Sequence, residues 1–157
     1  MDRDSGVFGE EAFRHLLLRE TQRATRYQDF FSVCLARADA PTDVRPRVTE
    51  AVSRKITEFL RSTDLVGRLS DGIGILLLHA EGQDTERVAE RIRRHIEGVA
   101  FTDETGASCR VTLSVGAVSF PRDGHNDTLL LSQAAAHLAR AAESGGNRVV
   151  QAIEGRG

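Results

Sequence analysis

Apolar positions recur in two periods along this chain, and the switches between them predict its elements. Phe13, Leu17, Ala24 and Tyr27 fall at helical spacing with Glu20 and Arg23 on the polar side, which predicts a helix from Gly9 to Tyr27. Phe31, Val33 and Leu35 then alternate with Ser32, Cys34 and Ala36, the period of a strand. Ala40 to Pro46 contains two prolines and an aspartate and reads as a loop. Val48, Val52, Ile56 and Phe59 restore the helical period, to about Arg61. Two short apolar runs, Leu65–Leu69 and Ile73–Leu78, flank Ser70-Asp71-Gly72, and Asp-Gly favours a tight hairpin turn.

The second half repeats these signals. Asp84 is placed to cap a helix whose Val88, Ile92 and Ile96 face inward, and Gly98 closes it. Phe101 to Ser108 reads as a loop or loose hairpin. Val111, Leu113, Val115 and Ala117 alternate within a strand from Arg110 to Ser119. Asn126 to Ala142 carries Leu130, Ala134, Leu138 and Ala141 on one helical face. Gly145-Gly146 stops it, and Arg148 to Ile153 forms a closing strand. The Ala134–Ala142 face is rich in small residues and suits close packing on a sheet. Hairpins mixed with helical crossovers predict an α/β (α+β) fold, a mixed, mainly antiparallel sheet of about five strands flanked by helices.

Composition narrows the function classes. The 157 residues suit a single domain, 1–157, and 40% hydrophobic content suffices for a core. No apolar run approaches the ~20 residues of a membrane span, and no export signal opens the chain, so a cytoplasmic protein is expected. Basic and acidic residues number 21 and 23, which gives no field for bulk nucleic-acid binding. Lys55 is the sole lysine. The arginine bias reflects either genome composition or anion recognition. Cys34 and Cys109 lie in apolar runs and read as buried free thiols rather than a disulfide framework. The histidines His15, His79, His95, His125 and His137 show no metal spacing. Gly72-Ile-Gly74 lacks the rest of a dinucleotide fingerprint, no nucleophile elbow is present, and Asn126-Asp-Thr128 is a glycosylation sequon without an export context.

Four segments, in order and at fitting spacings, resemble one family. Asp2-Arg-Asp-Ser-Gly-Val-Phe-Gly-Glu-Glu-Ala-Phe13 is similar to an opening D-x-L-T-G-L-x-N-R-R-x-F. Arg61-Ser-Thr-Asp64-Leu-Val-Gly-Arg68 resembles the run before its signature. Val111-Thr-Leu-Ser-Val-Gly116 resembles V-T-x-S-x-G, and Gly145-Gly-Asn-Arg-Val149 a closing G-x-N-x-V. The family is that of GGDEF domains, the diguanylate cyclase domains of bacterial second-messenger signalling. The resemblance runs from Asp2 to Ile153 and implies a nucleotidyl-cyclase palm-like fold.

The resemblance departs from the family where chemistry is expected. Active members hold Mg²⁺ through an acid in the signature turn and an Asp ending the first strand, because Mg²⁺ prefers oxygen ligands. Here the signature falls on Ser70-Asp71-Gly72-Ile73-Gly74, so the acidic positions match Gly72 and Ile73, and the strand Asp matches Arg37. Asp71 reaches the metal position only by a one-residue slip and lacks a partner carboxylate. The guanine-recognising stretch after Asp39 is replaced by Ala-Pro-Thr-Asp-Val-Arg-Pro46. The phosphate-contacting Lys matches Ala142, and A-D-x-A-L-Y reads Ala134-Ala-Ala-His-Leu-Ala139. The expectation is a degenerate GGDEF domain with no Mg²⁺ site and no catalytic residues.

A second feature of the family is retained. Many members bind their product, cyclic di-GMP, at an R-x-x-D placed a few residues before the signature, with another Arg from the following helix. Arg61-Ser-Thr-Asp64 fits that register, and Arg91 in Ala89-Glu-Arg-Ile-Arg93 matches the second Arg. Arginine presents a planar fork to guanine O6 and N7 or to phosphate, and Asp accepts from guanine N1 and N2. The resemblance therefore implies a regulatory module that receives cyclic di-GMP through Arg61, Asp64 and Arg91. It would signal to a protein partner or another domain of a larger protein. Against this, Arg26-Tyr-Gln-Asp29 also fits R-x-x-D, Arg61 and Asp64 also suit a surface ion pair, and Arg91 shares a charged helix face with Arg87 and Arg94. The alternatives are a ligand-independent interaction scaffold and a residual cyclase using Asp71. The chain reads equally as a free-standing protein or an excised piece.

Overall fold

The computed structural model describes residues 6–78 and 80–152. Asp2 to Ser5 of the opening motif, His79 and Ile153 lie outside the described residues. The elements run α1 (Glu10–Tyr27), β1 (Phe31–Ala38), α2 (Arg45–Phe59), β2 (Leu65–Leu69), β3 (Gly72–Leu78), α3 (Gln83–Glu97), β4 (Phe101–Thr102), β5 (Ser108–Cys109), β6 (Leu113–Phe120), α4 (Asp127–Glu143) and β7 (Arg148–Gln151). One sheet has the order β2-β3-β1-β6-β7, and β4-β5 form a separate two-stranded ladder. The large sheet is antiparallel except for the β6–β7 pair, so the expected mixed, mainly antiparallel architecture is the observed one.

Period-two alternation builds two cores, one on each sheet face. Cys34, Ala36 and Ala38 of β1, Ile73, Ile75 and Leu77 of β3, and Leu113, Val115 and Ala117 of β6 pack with Val52 and Ile56 of α2 and Ala89, Ile92 and Ile96 of α3. Phe31, Val33 and Leu35 of β1, with Leu76, Val118 and Phe120, pack with Phe13 and Leu17 of α1 and Leu130 and Ala134 of α4. Both faces of the central strands are covered, so their residues are buried on either side. The small-residue face of α4 does lie close on the sheet. A Cβ added at Gly116 would sit 2.2 Å from the Ala134 carbonyl oxygen and 2.4 Å from the Leu138 nitrogen.

Several local expectations shift. Pro46 is not loop but the first turn of α2, where its missing N–H costs no helical bond. That helix ends at Phe59, which leaves Arg61 beyond it. Asp84 does not cap α3. Gly82 holds the N-cap position without a side-chain bond, and Asp84 in the first turn faces Arg87 at 3.7 Å. Gly98 ends α3 at φ −84°, without the left-handed geometry. The Asn126 sequon position is the cap of α4, its side chain accepting from the Leu129 N–H at 2.8 Å. The loose hairpin forms as β4–β5, turned by Asp103, which accepts from the backbone N–H groups of Thr105 and Ala107. Cys34 is buried, and desolvation pushes its thiol up to about 12. Cys109 is only half-buried, because β5 lies outside the main sheet. Among the described residues no helix is long and apolar enough to cross a membrane.

Candidate functional site

The β2–β3 hairpin carries a candidate site at each end. At its open end, Arg61 and Asp64 lie in the short link from α2 to β2, and Arg91 projects from α3. Arg61, Asp64 and Arg91 line one cleft of about 430 Å³, together with Phe59, Leu78 and Arg87 among others. Asp64 is half-buried and the two arginines are exposed. Burial raises the Asp64 carboxyl above the usual aspartate range. Hydrogen bonding from the Leu78 and Arg61 backbones and the Arg61 charge oppose that rise without cancelling it. Arg61 and Asp64 are joined through the backbone, the Asp64 N–H donating to the Arg61 carbonyl at 3.0 Å, and the Arg61 charge favours the ionised Asp64 carboxylate.

Arg91 is held by packing. Its guanidinium lies 5.4 Å from the centroid of the Phe59 ring, which stacks on His95 at 4.6 Å with an interplanar angle of 21°. Phe59, at the end of α2, thus braces an arginine one helix away. Periodicity counted Phe59 as a core position of α2, and it assigned Arg87 to a solvated face. Both border the cleft. The available signal was spacing: Asp84, Arg87 and Arg91 recur three to four residues apart on one side of α3.

At the closed end, the turn is Ser70-Asp71, because Leu69 pairs with Gly72. Gly72 belongs to β3, where an added Cβ would lie 2.5 Å from the Ala36 carbonyl oxygen. Ile73 is fully buried in the α2/α3 core. Asp71 faces two guanidinium groups: Arg45 donates to its carboxylate at 3.2 and 3.3 Å, and Arg37 lies at 3.9 Å. Arg45 is itself anchored by donating to the Ala40 carbonyl at 3.0 and 3.1 Å. This donor set does not fit Mg²⁺, a hard cation that needs several oxygen ligands. The single carboxylate is neutralised by arginine, and Gly72 and Ile73 offer no side-chain oxygen. Among the described residues, no group of three or more His, Cys, Asp or Glu is arranged to hold a metal.

Asp39, directly after β1, has a separate task that its place in the sequence does not announce. Its carboxylate accepts from Thr112 Oγ1 at 2.7 Å, Ser114 Oγ at 2.6 Å and the Asn147 N–H at 2.9 Å. The Asn147 side chain bridges on to Glu97 and Arg93 of α3. Ser114 and Asn147 both fall in the motifs quoted above, and a polar Ser within a fully buried strand was the available clue. Gly146 is required beside them, since it has φ +73° and an added Cβ would press on the Asp39 carboxylate at 2.9 Å.

Residues 43–148 match the family described as diguanylate cyclase, GGDEF domain. The chain belongs to the GGDEF-domain family. It is 36% identical over 104 residues to the diguanylate cyclase DosC of Escherichia coli, a match covering 65% of this chain and 22% of DosC. The chain thus spans under a third of the length of the curated relatives it matches. The GGDEF domain of YfiN (TpbB) from Pseudomonas aeruginosa superposes with a TM-score of 0.84 at 22% identity, covering 94% of this chain and 98% of that one. The GGDEF domain of DgcB from Caulobacter crescentus, in complex with c-di-GMP, has a TM-score of 0.77 at 15% identity, covering 96% of this chain and 98% of that one. Both likenesses are of fold.

Proposed function

We propose that this chain is a catalytically silent GGDEF domain that acts as a receptor for cyclic di-GMP and passes its occupancy to a protein partner or a neighbouring domain. The observation that carries the reading is the convergence of Arg61, Asp64 and Arg91 on one cleft, with Arg91 braced on Phe59. Two guanidinium forks and a carboxylate match the acceptor edge, donor edge and phosphates of a guanine nucleotide. The fold shared with DgcB, a c-di-GMP complex, supports the ligand class. The closed end of the hairpin supports silence, since arginine stands against Asp71 and neither Gly72 nor Ile73 carries a carboxylate.

Calorimetric titration with cyclic di-GMP tests this. Binding is expected, and Arg61→Ala is expected to weaken it about 5- to 150-fold, the value of one bidentate arginine contact. Absence of heat at ligand concentrations near 100 μM, roughly the weak end for such a receptor, overturns the receptor reading. Undiminished binding by Arg61→Ala overturns the site.

The receptor reading also fixes a pH dependence. Asp64 can accept from guanine N1–H and N2–H together, one on each oxygen, only when ionised. Its carboxyl is raised by burial, so it takes up a proton at higher pH than an ordinary aspartate. Affinity is therefore present above that raised value and falls as pH drops through it, at higher pH than an ordinary aspartate would give. Titrations across the acid range should show this fall, and Asp64→Asn should flatten it.

A ligand-independent scaffold is the second reading. It is favoured by α4, whose stretch from Thr128 to Ala139 carries no Asp, Glu, Lys or Arg and leaves Leu129 41% exposed. Partner capture unaffected by cyclic di-GMP would favour it over the receptor.

A further inference from the structure

The mismatch between the hairpin tip and a divalent cation has a physical content beyond lost ligands. We propose that Arg37 and Arg45 take the place of the metal. Their guanidinium groups act as an internal counter-ion that neutralises Asp71 and ties the tip to β1 and α2. This corner of the domain is thereby made independent of divalent cations.

Three elements meet there through charge. Arg37 comes from β1, Arg45 from the first turn of α2 and Asp71 from the turn between β2 and β3. The side chains of Arg37 and Arg45 are 31% and 18% exposed, so their charges are less screened than free surface charges. A guanidinium and a divalent cation both neutralise a carboxylate, but they exclude one another. Arginine brings only donors and a positive charge, whereas Mg²⁺ requires lone pairs. Arg37 close to Asp71 therefore repels a second cation from the same oxygens.

Packing makes the substitution hard to reverse at the turn itself. A side chain at Gly72 would collide with the Ala36 carbonyl, the added Cβ lying at 2.5 Å. A carboxylate at Ile73 would be buried in the apolar α2/α3 core without a partner. Of positions 37, 72 and 73, where the family's acids are missing, only 37 is partly exposed and beside Asp71, so it is the position at which an external cation can be restored.

The test is thermal unfolding in EDTA and in millimolar Mg²⁺ or Mn²⁺, together with the electron paramagnetic resonance signal of free Mn²⁺. The wild-type midpoint is expected to be the same in all three solutions, with the Mn²⁺ signal undiminished. Arg37→Asp sets two carboxylates against each other. Its midpoint in EDTA is expected to fall by about 2–4 °C, to recover with Mn²⁺, and to be accompanied by loss of free Mn²⁺ signal. Arg37→Ser, which adds no repulsion, is expected to gain a smaller Mn²⁺ response and serves if Arg37→Asp does not fold. A wild-type response to Mn²⁺ that Asp71→Asn abolishes overturns the proposal, as does the absence of any response in both Arg37 variants. No cyclic di-GMP is present, so the receptor reading stands or falls separately.

Discussion

Phe13→Ala is expected to destabilise the domain by about 3–5 kcal/mol, among the largest single effects in this molecule. Phe13 is fully buried where α1 crosses the β2–β3 hairpin. Its ring lies over a cross-strand pair of glycines, Gly67 and Gly74. A Cβ built on Gly67 would be 2.6 Å from the Phe13 Cβ, and one on Gly74 2.6 Å from its Cε2. The glycines form a saddle that only the ring fills, so truncation leaves a void lined by backbone that cannot collapse. The converse change tests the same contact. Gly74→Ala, whose added Cβ would meet only ring atoms that Phe13→Ala removes, should cost about 1–3 kcal/mol by overpacking. The double variant should be less destabilised than the sum of the two, because each change relieves the other. Urea unfolding of the four proteins measures the coupling, and strict additivity would show that ring and saddle do not interact.

Gly116→Ala is expected to cost at least about 3 kcal/mol, the upper end for overpacking. Gly116 lies in β6 between Leu35 of β1 and Val150 of β7, under the middle of α4. The added methyl would meet helix backbone at 2.2 and 2.4 Å, and a helix backbone cannot rotate aside as a side chain can. The whole of α4 must lift, opening its contacts through Ala134 and Ala141, both fully buried. At about 2–4 °C per kcal/mol for a chain of this size, the melting midpoint should drop by roughly 6–12 °C. Gly9→Ala is the control: no atom lies within 4 Å of its added Cβ and its φ is −71°, so only the modest loss of glycine from the α1 N-cap is expected, about 1 kcal/mol at most. Lifting α4 also displaces the Gly145-Gly146-Asn147 turn that follows it. Gly116→Ala should therefore weaken the Asp39–Asn147 tie as well.

Most elements were legible because their signals are local. Alternation in Phe31–Ala36 and the helical period of Val52, Ile56, Ala89 and Ile92 depend only on which face a residue turns inward. The order of elements and the quoted motifs were enough to predict the mixed sheet. The family resemblance singled out Arg61, Asp64 and Arg91, and the fold brings them to one cleft. Boundaries were less legible where capping decided them. Gly82 rather than Asp84 starts α3, and Pro46 lies within α2 rather than before it.

The sequence by itself determined the two periodicities, the family and the absence of acids at Gly72, Ile73 and Arg37. Only the tertiary structure decided what those residues do instead. Asp71 is claimed by Arg45 across 26 residues, and Asp39 by Asn147 across 108. The glycines at 67, 74 and 116 are explained by a ring and a helix that arrive from elsewhere in the chain. The division has a physical cause. Backbone periodicity is set by neighbours three or four residues away. Charge pairing and steric clearance depend on which surfaces meet after the chain has closed, and no local pattern encodes that meeting.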